Sequence, residues 1–422
     1  MWTSINMDAY LAITCHYIDD SYKMNTVLLD VEKFPNRHTA ENMALVKMNV
    51  MMEWAITDKV KCLVTDAAAN MIACARILQV RHSVCIAHAL NTMVKKSFDQ
   101  VPALCDIRNK AKKVVTYFRS STSAKEMLTQ VQQDMNRPVL KLVNEVETRW
   151  NSTFHMLQRQ HDERQTVGAS LASLKTDIAP LHAQDYEAIQ QILCVLAPFH
   201  LATVELSEEK RVSGSKVIPL LKMIHHSLQV EQLRLTMPIT KELTENLIRR
   251  LREHIWNMES LSIMTMATLL DPRFKKLGFL NQTKMTEAVK RLKTECGNVI
   301  RAEDERPSTS SSTQGGNLWL LLDSAVDQHK QSSNATSDAI VEVDKYLSET
   351  NIQRTQDPLE YWRMQKQVYP HLYTLALQFL CTPASSVPCE RVFSKAGEVL
   401  SKRRNRLSPK TMKQLLFLNK NN

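Results

Sequence analysis

The stretch Pro383 to Leu418, PASSVPCERVFSKAGEVLSKRRNRLSPKTMKQLLFL, decides the reading of the chain. Ser386 suits a helix cap with Pro388 in the first turn, and Cys389, Phe393, Ala396 and Leu400 recur at helical spacing on one apolar face, with Glu390 beside it. Ser408 and Pro409 open a second helix in the same way, and it carries Met412, Leu415, Leu416 and Leu418. Between the two lies Lys402-Arg403-Arg404-Asn405-Arg406. From Glu390 to the end, nine Lys or Arg face two Glu, a net of +7 out of +10 for the whole chain. An apolar helix pair with a dense basic turn points to an element that packs on a partner and sits near phosphates.

The run SSVPCERVFSKAG, the KRRNRLSP turn and LLFLNKN resemble the C-terminal dimerisation region of hAT superfamily transposases and of their domesticated relatives, the zinc finger BED domain-containing proteins. The family has SERVFS here, so Cys389 stands in place of a serine while Glu390 keeps its position. The resemblance implies dimerisation through this region, with Phe393, Leu415, Leu416 and Leu418 as the apolar contacts. It also implies DNA contact by Lys402, Arg403, Arg404 and Arg406. Packing of the same leucines inside the chain, against the helix at 372–380, is the ordinary alternative.

Composition bounds the rest. A chain of 422 residues has room for two or three cored domains, and 44% hydrophobic residues with only seven glycines indicate a helix-rich globular protein. An isoelectric point near 9.1 favours a polyanionic partner such as nucleic acid. The nine cysteines show no paired spacing and the start MWTSINMDAY has no signal segment, which suits a reducing intracellular compartment. The basic cluster at 402–406 suits a nuclear address, and no apolar run approaches the length of a membrane span.

Taken in order, Tyr10–Ile18 and Met24–Val31 read as a hairpin, Thr39–Ile56 as a helix with Met43, Val46, Val50 and Trp54 on one face, Val60–Thr65 as a buried strand and Ala67–Gln79 as a helix, together an α/β domain with a mixed sheet. Asp66 closes the strand. Position alone leaves it as a helix cap or a metal-binding carboxylate. The segment TDAAANM resembles the family's second catalytic Asp, which implies the latter. Cys85 and His88 form a C-x-x-H pair, placed on one helical face by spacing, without the four ligands a zinc site needs. By resemblance the pair braces the sheet and contacts the DNA end. Arg108, Lys110, Lys112 and Lys113 suit a solvated helix face. Trp150 in ETRWNST reads as a buried anchor of a helix start. By resemblance to the family's TRWNST segment, Arg149 and Trp150 lie at the DNA, with the tryptophan stacking on an extruded base.

From 155 to 302 the pattern is helical, and LDPRFK at 270–275 matches a family mark whose local meaning is an Asp-Pro turn. Ser- and Thr-rich stretches make 303–338 a linker, interrupted by the apolar island Leu318–Leu322. The expected domains are a ribonuclease-H-like α/β part at 1–150, an all-α insertion at 151–302, the linker at 303–338, and at 339–422 the dimerisation region with the final catalytic-type helix. The implied fold is thus an α/β ribonuclease-H-like domain, N-terminally truncated, split by a long helical insertion.

The family's reaction is DNA cleavage and strand transfer with two Mg2+ or Mn2+ ions held by two Asp and one Glu. Asp66 and Glu390 match the second and third ligands. The first Asp of the family's D-x-W-T-S segment falls one residue before Met1-Trp2-Thr3-Ser4, and Asp8, Asp19 and Asp30 do not match it. Its absent strand should leave neighbouring strands short of backbone partners. The reading is therefore a transposase-derived nuclear protein, homodimeric or higher, associated with DNA and not a competent transposase as encoded. The alternatives are an active metal-dependent transposase and a dimerising protein without DNA binding.

Overall fold

Two ten-residue strands form the hairpin that the first core is built on. A computed structural model describes residues 2–3, 8–34, 37–304, 335–399 and 407–421. Strand β1 (Trp2–Thr3) pairs antiparallel with β2 (Ala9–Ile18), and β2 pairs antiparallel with β3 (Met24–Lys33). The turn is set by Asp19, whose Oδ1 accepts from the backbone N–H groups of Ser21 and Lys23, each at 2.9 Å, while Tyr22 adopts φ 60°. Next come α1 (Ala40–Glu53), capped by the Thr39 hydroxyl, β4 (Cys62–Thr65), α2 (Ala69–Ile77) and β5 (Arg81–Val84), which runs parallel to β4. The expected single mixed sheet is, among the described residues, two sheets: β1-β2-β3 and β4-β5. Among the described residues β1 pairs with β2 at two positions, Trp2 with Tyr10 and Thr3 with Ala9.

Among the described residues, fifteen further α-helices follow. They are α3 (Ile86–Asp99), α4 (Pro102–Ser120), α5 (Thr122–Asp134), α6 (Trp150–Asp162), α7 (Arg164–Ser173), α8 (Ala183–Leu206), α9 (Val217–Gln232) and α10 (Pro238–Met258). Then come α11 (Ser262–Leu269), α12 (Gln282–Asp304), α13 (Ala335–Ser348), α14 (Pro358–Gln365), α15 (Pro370–Leu380), α16 (Val387–Val399) and α17 (Pro409–Asn421). The helical reading of 155–302 holds throughout α6 to α12. The apolar island at 318–322 and most of the linker lie outside the described residues, as does the basic turn with Lys402, Arg403, Arg404 and Arg406.

The chain divides into two compact units. One comprises Met1–Cys85, Ser207–Pro219 and Asn257–Asn422, the other Ile86–Leu206 and Leu220–Trp256. In the first unit the antiparallel sheet carries a core on each face. Leu11, with Ile13 packed beside it, faces Met43, Ala44 and Met51 of α1 and Met71 and Cys74 of α2. Tyr10, Ala12, Leu28 and Val31 face Val392, Phe393 and Ala396 of α16 and Met412 and Leu416 of α17. A bulge at Leu29 of β3, where Ile13 pairs with Asp30 and Thr14 with Leu28, lets Leu28 and Val31 face the same side. The outer edge of β3 is covered by α17. The Asn421 side chain bonds both the N–H and the carbonyl of Leu28, at 2.8 and 2.9 Å, and Lys413 pairs with Asp30 and Glu32 at 2.6 and 2.5 Å.

The LDPRFK segment is more than a turn. The fully buried Asp271 carboxylate accepts from Ser215 Oγ at 2.5 Å and from Arg273 Nε and Nη2 at 2.9 and 2.6 Å. Lys275, 2% exposed, donates to the carbonyls of Tyr346 and Glu349 at the end of α13, at 2.6 and 3.1 Å. The Trp362 indole of α14 donates to the Leu270 carbonyl at 2.7 Å. The segment thus anchors the chain where it returns after residue 334.

The second unit is helical. Its charged helix face on α4 is ion-paired rather than only solvated, with Arg108 on Glu145 at 2.7 Å, Lys110 on Asp185 at 3.3 Å and Lys112 on Glu147 at 2.6 Å. By length and hydropathy α8 could cross a membrane, an apolar run the sequence reading did not foresee. Its Ile189, Ile192, Val195, Leu196 and Phe199 are buried on one side, the pattern of a core helix.

Candidate functional site

The ends of β4 and β5 meet the start of α16. The Cys85 backbone N–H donates to the Thr65 carbonyl at 2.6 Å, and the buried Cys85 Sγ accepts from the Ser386 N–H at 3.3 Å. Thr65 Oγ1 shares a 2.9 Å hydrogen bond with His82 Nε2. Asp66 follows at the mouth of this junction, half-buried, its Oδ1 accepting from the Ala68 N–H at 3.2 Å in a local turn. Asp66 is therefore not the cap of α2, a position held by Ala68. Glu390 lies in the first turn of α16, and its side chain is exposed. The two carboxylate-bearing segments are thus joined through the Cys85–Ser386 contact.

A third charged group stands at this junction. Lys47, on the inner face of α1, is 6% exposed, and its Nζ is buried with no hydrogen-bond partner. Burial pushes the ammonium below its ordinary pKa, and the neighbouring Cys74, Cys389 and Asp66 act the other way. Cys389 itself lies against β2, 3.2 Å from Thr14 Oγ1 and 3.8 Å from the Ala12 carbonyl, so the residue that replaces the family's serine bonds the hairpin. Burial raises its thiol pKa, opposed by Thr14.

These groups do not suit two hard divalent ions. Three oxygen-rich ligands are needed to offset such charge. Among the described residues no three His, Cys, Asp or Glu side chains gather, and the charged or ionisable groups that feel Asp66 are the Lys47 amine and the His82 imidazole.

Other expected site residues are placed differently. Cys85 ends the strand segment and α3 starts only at Ile86, so Cys85 and His88 do not share a helix; His82 belongs to β5. His88 is exposed on α3. Trp150 is 4% exposed and opens α6 as the buried anchor, edge-on to Phe154 and Phe199 at 6.3 and 6.4 Å, with Arg149 exposed before it. A ring so enclosed offers no face to an extruded base in this conformation. Phe393 and Leu416, 8% and 2% exposed, pack on the chain's own hairpin, whereas Leu415 and Leu418 are 43% and 56% exposed. The expectation that all four face a partner is corrected for the first two, because the β2–β3 sheet needs an apolar cover on that face. Lys47 went unremarked in the sequence, although it falls on the same stripe as Met43 and Val50.

Comparison with known families places these segments. The hAT family C-terminal dimerisation region matches residues 342–422, the ZBED1 RNase-like domain residues 1–91, and the ZBED1 RNase-like helical domain residues 83–195. Human zinc finger BED domain-containing protein 4 is 26% identical over all of this chain and 37% of its own length. The putative AC transposase of Zea mays is 24% identical over 99% of this chain and 55% of its own length. The Arabidopsis thaliana zinc finger BED domain-containing protein DAYSLEEPER is 26% identical over 98% of this chain and 62% of its own length. The chain thus spans from about a third to under two thirds of these relatives. A dimerisation region at one end, RNase-like regions at the other and relatives of these two kinds make the chain similar to hAT-family, zinc finger BED-type proteins.

Proposed function

We propose that this chain is a transposase-derived nuclear protein that self-associates through its C-terminal region and associates with DNA, and that its 422 residues do not carry out metal-dependent strand transfer by themselves. Its first unit we read as a ribonuclease-H-like fold interrupted in sequence by helices. The observation that carries the proposal is the buried, unpartnered Lys47 amine beside Asp66, in a site where no third carboxylate gathers among the described residues. A buried amine there supplies no oxygen ligand, and in its charged form it repels the divalent ions that such chemistry requires. DNA association is supported by the net charge of +10 and its concentration after Glu390.

The test is binding of labelled duplex DNA by fluorescence anisotropy at stepped salt. Four phosphate contacts from Lys402, Arg403, Arg404 and Arg406 give a log–log slope of about −3.6. Replacing all four with Gln should flatten it. No salt-dependent binding at all would leave a dimerising protein without DNA. One observation favours a second reading, an active Mg2+- or Mn2+-dependent transposase: the segment bearing Asp66 and the helix bearing Glu390 do meet.

A further inference from the structure

The antiparallel sheet of the first unit is fully paired on one side of β2 only. Towards β3 the ladder runs from Tyr10 to Ile18, whereas β1 pairs with Ala9 and Tyr10 alone. Among the described residues no strand lies along that second side of Ala12–Ile18. Strand β4 has a matching deficit: it pairs with β5 and, among the described residues, with no strand on its other edge. Its Cys62, Leu63 and Val64 are only half-buried, although the apolar run suggested a buried strand.

The two open edges lie close to each other. Leu11 and Ile13 of β2 and Leu63 of β4 pack in one cluster with α1 and α2. Burial pushes the Cys381 thiol at the end of α15 up to about 11 and Cys62 of β4 up to about 12; Cys15 of β2 adds to the first and Cys381 to the second, so Cys381 neighbours both strands. Helices α1 and α16 cover opposite faces of the sheet, yet the Lys47 amine of α1 feels Cys389 of α16, which meets Thr14 of β2, and also Asp66 at the end of β4. That unpartnered amine thus stands at the opening. Backbone groups left open on two neighbouring edges are satisfied together by one kind of ligand, another extended backbone.

We propose that the opening between β2 and β4 is a peptide-binding slot that takes an extended segment of another polypeptide as an added strand, antiparallel to β2 along Ala12–Ile18 and in line with β1. The flanking side chains set its chemistry. Towards α1 and α2 the added strand meets Ile13 and Leu63, which favours β-branched apolar residues; towards α16 it meets Ala12, Thr14 and Cys389, which favours small hydroxyl side chains. The fitting segment is therefore an alternation of valine and threonine, without a charge that burial would strand.

The test uses the full wild-type chain and a labelled, end-blocked peptide, Lys-Val-Thr-Val-Thr-Val-Thr-Lys, with the same peptide N-methylated at alternate residues as control. Fluorescence anisotropy reads affinity, and hydrogen exchange by mass spectrometry reads the two edges. Saturable binding is expected, weakened about tenfold or more by N-methylation, with exchange slowed in residues 12–18 and 62–65. No saturable binding, equal binding of the methylated peptide, or protection only elsewhere overturns the proposal. Edges already fully protected in the dilute free chain mean that its own residues close the slot, and protection that appears only as the chain is concentrated means that a second copy fills it; either result also overturns the proposal.

Discussion

Leu416→Ala separates the chain's own core from its interface. Leu416 is 2% exposed and packs with Tyr10, Ala12, Leu28, Val31 and Met412. Truncating a leucine so enclosed costs about 3 kcal/mol, near the low end of the usual range because α17 ends at Asn421 and can settle towards the gap. For a cooperative unit of this size that is a fall in melting temperature of roughly 6–12 °C. Leu418, two residues on and 56% exposed, should cost within about 0.5 kcal/mol when truncated in the same way. The assay is thermal and urea unfolding followed by circular dichroism, at a concentration where sedimentation shows monomer, so that partner binding adds nothing to stability. A Leu416→Ala chain as stable as Leu418→Ala, or one that is fully stable and merely unable to dimerise, would refute the placement of Leu416 in the core.

Three other substitutions test particular contacts. Lys47→Met should stabilise the chain by about 1 kcal/mol or more, since it removes a buried amine without a partner. The folded pKa of Lys47 is lowered, so between it and 10.5 the unfolded chain binds more protons; wild-type stability rises with pH there, and the advantage of Lys47→Met should shrink. A destabilised Lys47→Met at neutral pH contradicts this. His16, between Thr26 and Thr14, has its pKa pushed down to about 4 by burial. Its contribution is present above 6.5 and is lost as pH falls towards 4, so His16→Gln should flatten acid unfolding across that window; an unchanged acid limb counts against it. Lys275→Met should cost about 2–3 kcal/mol by leaving the Tyr346 and Glu349 carbonyls without their donor, and hydrogen exchange should show α13 opening first. Uniform protection would show that Lys275 does not anchor that helix.

The elements with a clear period were legible in the sequence. The β2–β3 hairpin, the Thr39-capped α1 and the helices α16 and α17 stand where alternation, caps and helical spacing put them. Strand β5 was not legible, because Arg81-His82-Ser83-Val84 is too short to show alternation, and the nearby C-x-x-H spacing suggested a helix instead. Partners were harder to read than elements. Spacing put Phe393, Leu416 and Leu418 on helices but could not say that the hairpin, 360 or more residues earlier, takes the first two and leaves the third outside. The same holds for LDPRFK: its Asp-Pro turn is local, whereas the burial of Asp271 and Lys275 depends on Ser215, Tyr346 and Trp362. At the candidate site, Asp66 and Glu390 were visible as carboxylates after a strand and in a helix. Lys47 was hidden because a lysine in an apolar stripe usually reaches solvent by its long stem, and this one does not.

The most direct test of the central claim is incubation of the purified chain with duplex DNA in Mg2+ and then in Mn2+, with cleaved and joined strands resolved on denaturing gels beside an Asp66→Asn control. Salt-dependent DNA binding without any metal-dependent product is expected. A nicked or joined product that requires the metal and disappears in Asp66→Asn would contradict the claim and restore a working metal site.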